Sequence, residues 1–454
     1  MTTHARRVPL GATAPATAPA TAPAVVPGMV AGIAAAVVAA LVVAALAGPA
    51  RATPAPGGPS AAPVALKPGV PPALSEPIKE PAKRATRVGR GGAVSTVDPY
   101  ATRIGTRVLE RGGNAVDAAV ATAAALGVTE PYSSGIGGGG YFVYHDATSG
   151  RTRVIDGRET APRTITQDAF VDLGTGKPYP FTPDLVTSGV AVGVPGTPAT
   201  WQKALRKWGT RDLGDVLAPA TTLARRGFVV DETFRSQTED NRERFRTFTA
   251  AKKLFLKGGL PRVGTRFANP DLADTYDLLA ERGVDALYDG PLAAEIAKAV
   301  RKPPVSGRTD LPAPAGSMTV QDLRRYRVVT RRAAHSTYRG LDVYGMPPSS
   351  SGGTTVGEAL NILEGFGLAG MTPTQALHHY LESSALAFAD RARYVGDPAF
   401  ASVPTDALLS DAYGAERACL VDPARAAPKP VAAGAAPPSA APCGSPPRSG
   451  RVAA

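Results

Sequence analysis

Only the stretch from about residue 84 to residue 423 has the composition to fold. Pro, Ala and Gly dominate residues 53–83, and Ala, Pro, Gly and Ser dominate residues 424–454. Such segments bury too little apolar surface to offset the entropy lost on ordering, so a linker and a disordered tail are expected on either side of one domain. Residues 1–52 read differently. Arg6 and Arg7 with no acid, then the apolar run 29–47, then Ala50-Arg51-Ala52, form the basic, hydrophobic and small-residue regions of a signal peptide or an uncleaved signal anchor. Either form predicts export: a secreted chain, or one anchored to the outer face of the cell membrane.

Two cysteines exclude a disulfide scaffold or a Cys-rich zinc module, and five histidines are poor material for a metal centre. Pairing of Cys419 with Cys443 is left open. The formal charge is +12, but the basic residues are scattered without a long run, which reads as solubility and not as nucleic-acid binding.

Within the dense region, Asp98-Pro99 places an N-cap before a proline suited to the first helical position, and Ile104, Val108 and Leu109 recur at helical spacing. Gly112-Gly113 should end that helix, and Asn114 should cap a second, Ala-rich one over 115–126. Residues 141–145 and 153–158 flank a turn over 146–150, the pattern of a β-hairpin with Arg158 at its far end. Apolar period and capping predict helices over 200–208, 213–226, 271–282, 292–300, 320–326 and 374–393, and another opened by the Pro347-Pro348-Ser349-Ser350-Ser351-Gly352-Gly353 turn. Further strands are expected over 326–331 and 341–344 only. A mixed α+β domain follows, with too few strands for a sheet covered on both faces, so part of the sheet is expected to come from elsewhere.

The glycine-rich run 135–140 has the backbone freedom to cradle an anion, but no Gly-Lys-Ser/Thr follows, and close packing at the start of a strand is the plainer use. Ser349, Ser350 and Ser351 lack a Gly-x-Ser-x-Gly elbow and read as a turn and helix cap. His378 and His379 are adjacent on a helix, where neighbouring side chains diverge by about 100°, and do not make a metal pair. Arg158, between Asp156 and Glu159, has the planar fork that grips a carboxylate with two parallel hydrogen bonds, although the residues alone favour an ordinary ion pair.

Taken in order, several blocks strongly resemble the γ-glutamyltranspeptidases: Gly112-Gly113-Asn114-Ala115-Val116-Asp117-Ala118-Ala119, Gly137-Gly138-Gly139-Gly140-Tyr141, and Asp156-Gly157-Arg158-Glu159-Thr160-Ala161-Pro162. Later blocks agree: Val194-Pro195-Gly196-Thr197-Pro198, Leu360-Asn361-Ile362-Leu363-Glu364, Ala389-Asp390-Arg391 and Tyr394-Val395-Gly396-Asp397-Pro398. The resemblance implies an exported N-terminal nucleophile hydrolase with an αββα sandwich, made as a precursor that cuts itself into a large and a small subunit. It implies a freed N-terminal Thr that attacks the γ-glutamyl amide of glutathione, passing the glutamyl group to water, an amino acid or a dipeptide. Arg158 matches the family's Arg that holds the α-carboxylate of the glutamyl group. No cofactor is implied, since a nucleophile, a base and an oxyanion hole suffice.

The family's nucleophile sits in a Thr-Thr-His-like stretch after the large-subunit segment. No such stretch occurs in these residues, whose last threonine is Thr405. The expectation is therefore the large-subunit portion of a γ-glutamyltransferase and glutathione hydrolase, with the nucleophile on a separate small subunit. The alternative is a non-catalytic truncated homologue or carboxylate-binding fragment.

Overall fold

The computed structural model describes residue 89, residues 91–307 and residues 309–437. The expected leader 1–52, the linker 53–83 and Cys443 lie outside the described residues. Gly367–Thr372, with the 3-10 turn Leu368–Gly370, belong to one compact unit, and all the other elements named here belong to a second.

Helix α1, Pro99–Glu110, starts where Asp98 Oδ1 accepts the Ala101 N–H at 2.7 Å. Gly112 then takes φ of 81°, a left-handed conformation that ends the helix at no steric cost. Helix α2, Ala115–Thr129, opens on a reciprocal capping box between Asn114 and Asp117. Asp117 is fully buried, and its carboxylate also accepts the backbone N–H groups of Thr210 and Arg211 and the Thr210 hydroxyl. One side chain thus ties the start of α2 to the loop between α3, Thr197–Trp208, and α4, Leu213–Arg226. Because α2 is lined by Ala121, Ala124 and Ala125, α4 and α5, Pro270–Arg282, come in close, and Tyr276 donates its hydroxyl to Ala124 O at 2.9 Å. These helices hold the main apolar core.

Against this layer lies a three-stranded antiparallel sheet in the order β1 (Gly140–Asp146), β2 (Arg151–Gly157), β3 (Val329–Arg332). Tyr141 pairs with Asp156, and Asp156 with Val329. Successive side chains alternate between faces, so Phe142, Tyr144 and Ile155 pack toward Trp208 of α3, with the Tyr144 ring stacked at 4.6 Å. Tyr141 and Val154 pack on the other face with Ala333 and Met346. Asp156 and Arg331 share that face by the same period, and Arg158 follows directly beyond β2. Among the described residues the outer edges of β1 and β3 pair with no further strand.

A hairpin of β4, Ala334–Tyr338, and β5, Leu341–Gly345, leads into α6, Gly352–Glu364, and the long α7, Pro373–Tyr394, followed by α8, Asp411–Ala418. Strand β4 is not anticipated by the sequence reading, and the strand expected over 326–331 is displaced to Val329–Arg332. Tyr326 instead closes the short helix Val320–Arg325.

The larger difference concerns the tail. Composition predicts disorder from residue 424, yet residues 427–436 run along α7 and α8 with fixed partners. Glu382 accepts the Ala427 N–H and pairs with Lys429 at 2.7 Å. Asp390 accepts the Gly434 N–H, Arg417 donates to Ala432 O at 2.9 Å, and the Tyr394 hydroxyl donates to Gly434 O at 2.8 Å. A Pro/Ala/Gly strap has little apolar surface of its own, but it offers backbone N–H and C=O groups. The buried polar groups of α7 and α8 need such partners, and composition does not register that need.

Candidate carboxylate-binding site

Arg158 sits where β2 ends, and its main chain is held on both sides. Asp156 Oδ1 accepts the Arg158 N–H at 3.1 Å, and the Tyr326 hydroxyl donates to Arg158 O at 2.8 Å. Burial, with help from nearby Asp156 and Glu159, pushes the Tyr326 phenol well above its ordinary range, so it remains a donor. The Tyr326 ring stacks on Tyr288, whose hydroxyl reaches Pro195 O at 2.8 Å, fixing the donor from behind.

The guanidinium itself is exposed and donates to Tyr141 Oη at 2.9 Å. That hydrogen bond, joined by the fields of Glu159 and Asp156 and opposed by partial desolvation, raises its pKa further, so it is a permanent cation. It has no carboxylate partner among the described residues. Asp156, the nearest acid in sequence, is 6% exposed and is taken by Arg331 Nε at 2.6 Å. Glu159 is drawn aside over the glycine run. A Cβ at Gly138 would meet its Oε1 at 3.3 Å and a Cβ at Gly139 its Cδ at 2.9 Å, so the missing side chains make the room it occupies. The ordinary ion pair that the residues alone favoured is therefore not what forms. Arg331 neutralises Asp156, and the Arg158 fork keeps N–H groups that no carboxylate takes among the described residues.

Beside this arginine an open cavity of about 670 Å³ is lined by Gly135, Gly137 to Gly140, Tyr141, Glu159, Thr197 and Trp201, among others. Gly139 packs as expected at a strand start, since its Cβ would lie 2.6 Å from Gly157 O. Gly137 and Gly140 have nothing within 4 Å of an added Cβ, so part of the run faces the cavity.

Of the other residues weighed in the sequence, Ser349 comes to the site: its Oγ lies 3.4 Å from Tyr141 Oη and 3.5 Å from Asp156 Oδ2. The two histidines do not converge. His378 Nε2 lies 2.7 Å from Asp422 O, while His379 is buried, with Nδ1 2.8 Å from Gln375 O. Sequence reasoning passed over Tyr141, Tyr326 and Arg331. The hairpin turn carried a signal for the first, because pairing Asp146 with Arg151 sets Tyr141 opposite Asp156. Arg331 and Tyr326 arrive from more than 160 residues away, and no local pattern announces them.

Residues 101–447 match the family model described as gamma-glutamyltranspeptidase. The chain belongs to that family. It is 40% identical over 338 residues to the glutathione hydrolase proenzyme of Bacillus subtilis (strain 168), covering 74% of this chain and 55% of that protein. Among solved structures it is similar to Helicobacter pylori γ-glutamyltranspeptidase, with a TM-score of 0.69, 34% identity, and coverage of 76% of this chain and 95% of that chain. It is also similar to a cephalosporin acylase from Bacillus halodurans, with a TM-score of 0.64, 30% identity, and coverage of 77% and 63%. The fold is thus the N-terminal nucleophile hydrolase fold of the γ-glutamyltranspeptidases, and the chain spans about half the length of the curated relatives it matches.

Proposed function

We propose that this chain supplies the glutamyl-binding part of an exported γ-glutamyltransferase and glutathione hydrolase, and that the attacking threonine belongs to that enzyme's small-subunit portion. The observation that carries this reading is the Arg158 guanidinium, a cation without a carboxylate partner among the described residues, whose neighbour Glu159 and hydrogen-bond partner Tyr141 line a glycine-rich cavity. Its fork pairs with the α-carboxylate of a γ-glutamyl compound such as glutathione. That pairing sets the distance from the carboxylate to the γ-amide and so presents the amide carbon to the nucleophile. The hydroxyl adds to the carbonyl, the amine leaves with a proton, and the resulting ester passes the glutamyl group to water, an amino acid or a dipeptide. The unpaired edges of β1 and β3 support a partner that continues the sheet. The basic and then apolar sequence of residues 1–52 supports export.

The test is turnover of γ-glutamyl p-nitroanilide by the chain alone and with a small subunit of a family relative added. Turnover is expected only in the mixture, and Arg158→Ala should lower kcat/KM by about 10- to 100-fold, the worth of a lost charge-assisted hydrogen-bonded pair. Turnover by the chain alone would overturn the missing nucleophile. Silence in every mixture would overturn the half-enzyme and leave the non-catalytic reading.

A further inference from the structure

We propose that Tyr141 is a positioning residue for Arg158: its hydroxyl takes one N–H of the guanidinium and pins the fork so that its other N–H groups, with the tyrosine's own O–H beside them, face the incoming carboxylate. The inference rests on the carboxylate-binding reading of Arg158 and adds a residue to it.

Holding the main chain of Arg158 at Asp156 and Tyr326 does not hold its guanidinium, because the intervening side-chain torsions remain free in an exposed arginine. Left to itself, such a side chain turns toward the nearest carboxylate. Both neighbours are removed from reach: Asp156 is occupied by Arg331, and Glu159 lies over Gly138 and Gly139. What remains is the hydroxyl of Tyr141, 2.9 Å from Nη1.

Tyr141 is suited to the task because its own position is decided twice. The register opposite Asp156 sets its place along the sheet, and its ring packs with Val154, Ala333 and Met346. Since Oη accepts from Arg158, its proton points elsewhere. Ser349 Oγ at 3.4 Å is too far to hold that proton firmly, so it remains available to a ligand oxygen. The rise in the Arg158 pKa, for which the Tyr141 hydrogen bond is the largest cause, is the expected mark of this contact.

The experiment is chemical modification of the full chain by phenylglyoxal, which attacks the deprotonated guanidine, with site-by-site quantification by mass spectrometry. Tyr141→Phe keeps the packed ring and removes only the hydroxyl. It should make Arg158 react about two- to tenfold faster, with Arg153 on the same strand and the unfolding midpoint unchanged. An unchanged Arg158 rate would overturn the proposal. So would equal acceleration at Arg153 with a lowered midpoint, which marks loosening of the whole hairpin. L-Glutamate added as protectant separates this inference from its parent: it should shield Arg158 in the wild-type chain and require a higher concentration in Tyr141→Phe. A faster Arg158 that glutamate never shields would overturn the carboxylate-binding reading and leave the pinning standing.

Discussion

The chain holds two arginine–carboxylate clusters built from the same groups with opposite consequences. At the end of β2, Arg331 pairs with Asp156, the side chains 21% and 6% exposed, and the second arginine, Arg158, is exposed and has no carboxylate partner among the described residues. Under α6, α7 and α8, Arg417 pairs with Asp390 at 2.9 Å with both side chains sealed, at 4% and 0% exposure. Glu358, also sealed, faces Asp390. Burial first, then the hydrogen bond and charge of Asp390, push its carboxyl up to about 10 against the pull of Arg417, so it keeps its proton and donates to its neighbour. Among the described residues this second cluster has no cation left over, and the strap 427–436 covers it. Where water reaches, an extra arginine is tolerated without a carboxylate partner, as the proposed binding role of Arg158 requires; where water is excluded, each charge must be matched and the cluster becomes a structural fastening.

Removing one charge from each cluster tests that contrast most strongly. Arg417→Met strands the Asp390 carboxylate in the interior and should cost about 3–5 kcal/mol in denaturant unfolding. Arg331→Met removes a partly exposed cation and leaves the largely buried Asp156 still hydrogen-bonded to the Arg158 N–H, and should cost less, about 1–3 kcal/mol. Equal losses would mean that burial does not separate the two clusters.

The strap comes next. A Cβ at Gly434 would lie 2.3 Å from Tyr413 Oη, so Gly434→Val should cost about 1–3 kcal/mol and speed proteolytic cutting within 424–437, while Arg158 keeps its wild-type phenylglyoxal rate. Coupled changes at both places would join regions that the comparison holds apart.

The last test is the dependence on pH. The folded pKa of Glu358 lies far above its unfolded value of 4.5, so the folded state retains a proton that the unfolded state releases. The stability from this group is fully present below that value and is lost as pH rises toward about 10. Glu358→Gln keeps a donor to Asp390 without the titration, and should flatten this slope and make the chain more stable than wild type at pH 8.5. A slope unchanged in the variant would assign the alkaline loss to another group.

Local pattern carried most of the element assignments. The Asp98-Pro99 and Asn114 caps, the Gly112 stop, the helix over 213–226 and the hairpin around 146–150 were legible because each depends on residues a few positions apart. The register that sets Tyr141 opposite Asp156 lay within reach of that hairpin but was not drawn from it. The reading failed where the deciding partner is distant. Strand β4 is short and flanks a hairpin turn at Arg339 and Gly340, which both take positive φ. The strap looks disordered until the acids of α7 are set beneath it.

The sequence by itself determined the α+β class, the family and the choice of Arg158, since these follow from residue types in fixed order. Only the tertiary structure decided that Asp156 is paired while Arg158 has no carboxylate partner among the described residues, that Glu159 is turned away, and that residues 427–436 are bound. Whether a charge is paired depends on which groups fold into the few ångströms around it, and here Tyr326 and Arg331 reach Arg158 and Asp156, and Gly434 reaches Asp390, from distant parts of the chain.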